Sequence, residues 1–184
     1  MKEQFYDLLA SVLSVTEFEL LKKWLDSTDF FVAPASTKFH DNDVGGLLKH
    51  SLAVYKRFKE LDDRFSLVLT DREIVICGLL HDVCKANVYK KEVRNKKIDG
   101  TWREVPEWVF KDDFPLGHGE KSVILLQRCI LLDDLETFAI RWHMGPFTDG
   151  FESWGVNKSF NDAVEKYPAV AALFSADYEA SHFA

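Results

Sequence analysis

Apolar positions recur every three or four residues along most of the chain, a spacing that predicts a mainly α fold. Phe5, Leu8, Leu9, Val12 and Leu13 keep this spacing from about residue 3 to 14. Thr16-Glu17-Phe18-Glu19 reads as a capping box, a hydroxyl three residues ahead of a carboxylate, opening a second helix to about Leu25. Residues 29 to 43, with Pro34 and several small polar residues, read as a loop. A third helix is expected from about Gly46 to Leu61. A second capping box, Thr70-Asp71-Arg72-Glu73, opens the helix that ends in His81-Asp82.

The pattern changes over residues 87 to 113, where Tyr89, Val93, Ile98, Trp102, Val105, Trp108 and Val109 stand among many charges. Asp99-Gly100 is a tight-turn pair, so a small β-hairpin near residues 88–110 is expected, inserted between helices. Helices resume over about Gly119–Leu131 and Asp133–Trp142. Residues 145 to 160 read as a loop rich in glycine and aromatics. A short helix near Phe160–Tyr167 and a last one from about Pro168 follow, the proline suiting a first helical turn.

A chain of 184 residues fits one domain with a substantial core. No apolar run approaches the ~18 residues of a membrane span, and the start lacks a signal-peptide pattern. Cys77, Cys84 and Cys129 are odd in number and lack the CxxC spacing of thiolate sites. They read as small core residues in a reducing, cytoplasmic setting. The net charge of −7 is a poor footprint for long duplex nucleic acid. It does not oppose a small phosphorylated substrate, because bound divalent ions reverse the local sign of a site.

His81-Asp82 closes the aliphatic run Gly78-Leu79-Leu80, and burying an imidazole beside a carboxylate is costly unless each has a partner. A divalent metal is such a partner. A lone histidine on a helix is more often a surface or hydrogen-bonded residue, so the weight lies in the set. His50 follows Gly45-Gly46-Leu47-Leu48-Lys49, His118 lies between Gly117 and Gly119, and His143 precedes Met144-Gly145-Pro146. Asp177 places a carboxylate on the apolar stretch Leu173–Ala176.

Order and context together resemble the HD-domain superfamily of metal-dependent phosphohydrolases. Gly45–Ser51 looks like the family's GGLLxH(T/S) segment and Leu79–Lys85 its LLHDxxK segment. Gly117–Ser122 and Arg141–Gly145 look like its third and fourth histidine segments, and Ser175-Ala176-Asp177 its closing aspartate. The likeness is to small bacterial and phage HD hydrolases and, more distantly, to the HD domain of bacterial 3′→5′ exoribonucleases. It implies an HD-domain helical bundle over 1–184, with residues 1–30 a helical extension. His50, His81, Asp82 and Asp177 would form the one-metal set. His118 and His143 would hold a second ion, with Asp82 bridging the two. One or two divalent transition ions are implied; the nitrogen- and oxygen-rich donors suit Fe, Mn, Co, Ni or Zn.

Lys85, at the family's HDxxK lysine, would hold a phosphate oxygen, or it is a helix-end surface lysine. His40 stands where the exoribonucleases carry a His-His pair, and is read as a proton donor or substrate contact, or equally as a surface residue. Lys121 and Arg141 adjoin ligands and would reach a phosphate, or are solvated charges. His182 matches nothing and reads as a surface residue. Trp102, Trp108, Phe147 and Trp154 would wall the pocket, or simply pack the hairpin. Gly46 stands where three-metal branches carry an acid, and Met144 replaces their second adjacent histidine, which argues against a trinuclear site. The implied activity is hydrolysis of a small phosphorylated compound, best a nucleotide, by metal-activated hydroxide, with Asp82, Lys85 and His40 as the catalytic set. Two alternatives stand: a mixed-valent di-iron oxygenase on the same ligands, and a non-catalytic nucleotide-binding module.

Overall fold

The computed structural model describes residues 1–36 and 41–183. Its order is α1 (Lys2–Val12), α2 (Val15–Asp26), α3 (Gly46–Phe65), α4 (Asp71–Leu80), β1 (Tyr89–Ile98), β2 (Thr101–Phe110), α5 (His118–Leu126), α6 (Asp134–Trp142), α7 (Trp154–Lys166) and α8 (Ala169–His182). Short 3-10 turns at Val83–Lys85 and Gly145–Phe147 follow α4 and α6. The architecture is the expected one: mainly helical, with one two-stranded antiparallel hairpin.

The Thr70 capping box forms as read, with the Thr70 hydroxyl accepting from Glu73 N at 3.2 Å and the Glu73 carboxylate from Thr70 N at 2.6 Å. The earlier box is set two residues ahead of its expected place. Ser14, not Thr16, caps α2, and Glu17 returns the bond to Ser14 N at 3.2 Å. Thr16 therefore lies inside the first turn. α7 corrects the expected loop over 145–160: it begins at Trp154, where the Ser153 hydroxyl accepts from Val156 N. α5 stops at Leu126, short of Leu131. Pro168 caps α8 rather than entering it.

The hairpin pairs Tyr89 with Phe110 through to Ile98 with Thr101. Asp99 (φ 49°) and Gly100 (φ 82°) are both left-handed, the backbone a two-residue turn of this hand demands. Most of the hairpin is exposed; Tyr89, at its base, is buried.

One apolar cluster joins the helices. Phe5 and Leu9 of α1, Leu21 and Leu25 of α2, Leu47 and Phe58 of α3, Ile76 and Leu79 of α4, Leu126, Ile140 and Leu173 all lie in it. Phe30 packs against Phe5 with ring centroids 5.4 Å apart, which ties α1 to the segment leading into α3. α3 packs on α4 and α8, and α6 on α5 and α8, so the C-terminal half of the fold closes around the end of α4.

The approach of α4 to α3 depends on Gly78. A Cβ there would lie 2.6 Å from the Tyr55 Cα, a contact with backbone that no rotamer relieves. Gly78→Ala should therefore lower stability by about 1–3 kcal/mol, even though alanine is the better helix former. Denaturant unfolding checks this; an unchanged or raised midpoint would show that the helices have room.

Candidate metal centre

Most candidate ligands stand at or next to a helix end. His50 lies in the second turn of α3, and His81 closes α4. The chain then leaves the helix at Asp82 (φ −106°, ψ 18°) and tightens into the 3-10 turn. That sharp exit turns the Asp82 carboxylate back beside His81 instead of around the helix. His118 is the first residue of α5, and His143 closes α6. These two ends meet because Gly119 has no side chain; a Cβ would lie 2.0 Å from the Arg141 carbonyl oxygen. Gly119 thus serves the contact between the two helices. Asp177 comes from α8.

His50, His81, Asp82 and His143 are buried. The two Asp82 oxygens face different neighbours. Oδ2 lies 3.7 Å from His50 Nε2 and 3.6 Å from His81 Nε2, while Oδ1 lies 2.8 Å from His118 Nε2 and 3.4 Å from His143 Nε2. Asp177 Oδ1 stands 3.0 Å from His50 Nε2 and 3.9 Å from His81 Nε2. The six residues expected to ligate metal are thereby brought together, in two sets that share Asp82.

Ring orientation favours cations. His81 Nδ1 donates to the Gly78 carbonyl at 3.0 Å and His143 Nδ1 to the Ile140 carbonyl at 2.6 Å. In each neutral ring the Nε2 lone pair then faces the cluster, the arrangement that backbone carbonyls impose on metal-binding histidines. His143 Nε2 is buried without a hydrogen bond, and it faces a carboxylate oxygen. Two acceptors that close repel unless a proton or a cation lies between them. His50, His81 and Asp177 form one group whose donor atoms could hold an ion; Asp82, Cys84 and His118 form a second.

The charge balance agrees. Burial pushes the Asp82 carboxyl up, but Lys85, His81, the bond from His118 and the nearby His143 outweigh it and hold it well below the usual range. Asp177 is likewise lowered: burial opposes ionisation, and His50 and His81 win. Burial dominates at His81 and drives its imidazole down to about 4. At His118 burial also disfavours the cation, but Cys84 and Asp82 push it up to about 10. The cluster thus combines ionised carboxylates with an imidazole that burial keeps neutral, a donor set suited to divalent ions.

A cleft of about 640 Å³ opens onto these groups, lined by Lys85, His143, Met144, Phe147, Phe174, Asp177, Tyr178, Ser181 and His182. Lys85 Nζ lies 2.6 Å from Asp82 Oδ2, so it reaches the centre as expected. His40 lies outside the described residues. The structure does not bring Lys121 or Arg141 to this cleft. Lys121 pairs with Asp112 at 2.6 Å and lines a separate cavity, and Arg141 pairs with Glu120 over the Trp142 ring. Of the four expected wall aromatics only Phe147 lines the cleft; Trp102 and Trp154 are exposed elsewhere, and Trp108 borders another cavity.

The sequence places the last helix and Asp177 on it, but not the cleft-lining row that this helix carries. Phe174, Tyr178 and His182 repeat at i+4 on one helical face, with Asp177 and Ser181 beside them. That spacing, counted from Asp177, would have marked His182 as a cleft residue. Its ring stacks on Tyr178 at 4.3 Å, and Phe147 lies parallel to Tyr178 at 6.2 Å. Cys84, read as plain core, also stands among the candidate ligands.

A family model described as HD domain matches residues 47–150. The matched span contains His50, His81, Asp82, His118 and His143; Asp177 lies beyond it and joins them through its 3.0 Å contact with His50. No curated protein and no solved structure matches the chain.

Two outcomes follow for stability. Below pH 6.5 the unfolded chain protonates His81, whereas the folded chain resists until about pH 4. Metal-free protein should lose up to about 3 kcal/mol as pH falls through that window. A divalent ion at 100 times its Kd should raise stability by about 2.7 kcal/mol at neutral pH. Thermal melts with chelator and with added Mn, Co, Ni or Zn test both. A melting temperature flat between pH 6.5 and 4, or indifferent to every metal, would contradict the reading of the cluster.

Proposed function

The chain belongs to the HD-domain superfamily of metal-dependent phosphohydrolases, and from that premise we propose that it hydrolyses a small phosphate ester, best a nucleotide, at a two-metal centre. The observation that carries the proposal is the division of Asp82, one oxygen toward His50 and His81 and the other toward His118 and His143. His50, His81, Asp82 and Asp177 would hold one ion; Asp82, His118 and His143 would hold the other. When bound, such a pair supplies positive charge for phosphoryl oxygens and a water acidic enough to yield hydroxide near neutral pH.

The remaining work falls to side chains of the cleft. Asp82 keeps the Lys85 ammonium charged against the cost of its burial, which raises it above the ordinary lysine range. Lys85 then offers a fixed cation to a non-bridging phosphoryl oxygen as charge develops. His182 donates Nδ1–H to the Tyr178 carbonyl at 2.9 Å, which leaves Nε2 as the atom that would take up a proton and pass it on. It and His40, the latter from sequence alone, are the candidate donors to the leaving oxygen. Phe147, Tyr178 and the His182 ring present flat faces beside the centre, and stacking a base there would add about 1–3 kcal/mol. This wall supports a nucleotide over an aliphatic ester.

Hydrolysis should be measured with Mn, Co, Ni and Mg, as phosphate released from nucleoside monophosphates and glycerol phosphate and as monoester formed from cyclic nucleotides and short oligonucleotides. Asp82→Ala should lower kcat/KM about a thousandfold or more, because several kcal/mol of metal-dependent stabilisation go with it. Lys85→Ala should cost about 10²–10³ in kcat. Tyr178→Ala should raise KM for nucleotides about tenfold and leave glycerol phosphate unchanged. Hydrolysis that survives Asp82→Ala, or none of any ester with any metal, would sink the proposal.

A further inference from the structure

The three cysteines do not share one environment. Cys77 is fully buried within the apolar cluster of the helices. Cys129 is partly exposed beside that cluster. Cys84 is only 3% exposed, yet it is not part of the apolar cluster. Its neighbours are polar. The Cys84 thiol, an Asp82 oxygen and a His118 ring nitrogen all lie within 4.8 Å of one another. Packing of a small apolar residue explains Cys77 but not this placement.

The local backbone holds the thiol there. The turn Val83–Lys85 keeps Cys84 two residues after Asp82 on the same tight bend. Its amide donates to Ser122 Oγ at 3.2 Å, so α5, which carries His118, also fixes Cys84. A second, independent observation points to a ligand at the same place. The buried His143 Nε2, 3.4 Å from Asp82 Oδ1, has no hydrogen bond, and the His143 ring lies 5.4 Å from that of His118.

We propose that Cys84 is a thiolate ligand of the second ion, completing a set of Asp82, His118, His143 and Cys84. The proposal rests on the two-metal reading of the cluster. On coordination the S–H proton leaves to solvent and a sulfur–metal bond forms. The two ions then differ in kind: the His50–His81–Asp177 side offers nitrogen and oxygen alone, while the other side adds a soft donor. Softness favours Zn, Fe(II) or Co over Mg or Mn at that position. The pair would load in order and hold unlike metals.

Cobalt distinguishes the cases, because a thiolate bound to Co(II) gives an intense near-ultraviolet charge-transfer band that nitrogen and oxygen ligands do not. The full chain, stripped with chelator, is titrated anaerobically with Co(II) alone. Two equivalents should bind per chain, with the charge-transfer band rising with one of them and visible d–d bands rising with both. Cys84→Ser should lose the charge-transfer band, keep the d–d bands, and bind one equivalent about tenfold or more weakly. A Cys77→Ser/Cys129→Ser variant, with Cys84 as its one thiol, should keep the band; this decides the matter even where Cys84→Ser fails to fold. Two equivalents without the band overturn the thiolate ligand and leave the two-metal reading standing. A band that survives Cys84→Ser overturns it likewise. One equivalent without the band, or no uptake, overturns both.

Discussion

The Asp82 carboxylate is buried between two pairs of imidazoles, and the surrounding structure is arranged to make that tolerable. An unpaired carboxylate at this depth would cost several kcal/mol, a large fraction of a domain's net stability. Lys85 offsets part of the cost from the same turn, at 2.6 Å from Oδ2, and His118 bonds Oδ1 at 2.8 Å. The remaining neighbours, His50, His81 and His143, are held by helices that must end or cross at this point. The missing side chains of Gly78 and Gly119 allow those crossings, and the exit of the chain from α4 at Asp82 aims the carboxylate. A cation completes the balance better than a proton, because it satisfies lone pairs on both sides at once.

Much of this was legible in the chain itself, for reasons that differ by element. The Thr70 cap and the Asp99-Gly100 turn depend on neighbours within four residues, so local chemistry specified them. The candidate metal set, which the fold brings together, was legible as an order of segments, each with its own short context. What failed was of two kinds. Short-range choices between equivalent signals went the wrong way: Ser14 and Thr16 each offer a hydroxyl three residues before a glutamate, and it is Ser14 that caps α2. Long-range placement was invisible, since nothing local says that Lys121 pairs with Asp112 or that Arg141 pairs with Glu120. Cys84 and His182 belong to the second kind, although the i+4 row Phe174, Tyr178, His182 carried a usable trace.

Placement on α8 has a consequence for function. Asp177, Tyr178 and His182 share one helix, so metal binding at Asp177 and ring stacking at Tyr178 would be coupled through a rigid element. A substrate held against that wall would present its phosphate to the Lys85 side of the cleft, where the charge of Asp82 keeps the lysine protonated. The protruding hairpin is joined to this region through Tyr89, buried at its base, while its Trp102 tip is exposed to solvent.

The most direct measurement of the central claim is anomalous diffraction from crystals soaked in cobalt or manganese. The account predicts two peaks about 3.5–4 Å apart, one on the His50–His81–Asp177 side of Asp82 and one on the His118–His143 side, each within bonding distance of one Asp82 oxygen. A single peak, or peaks that leave Asp82 uncoordinated, would contradict it.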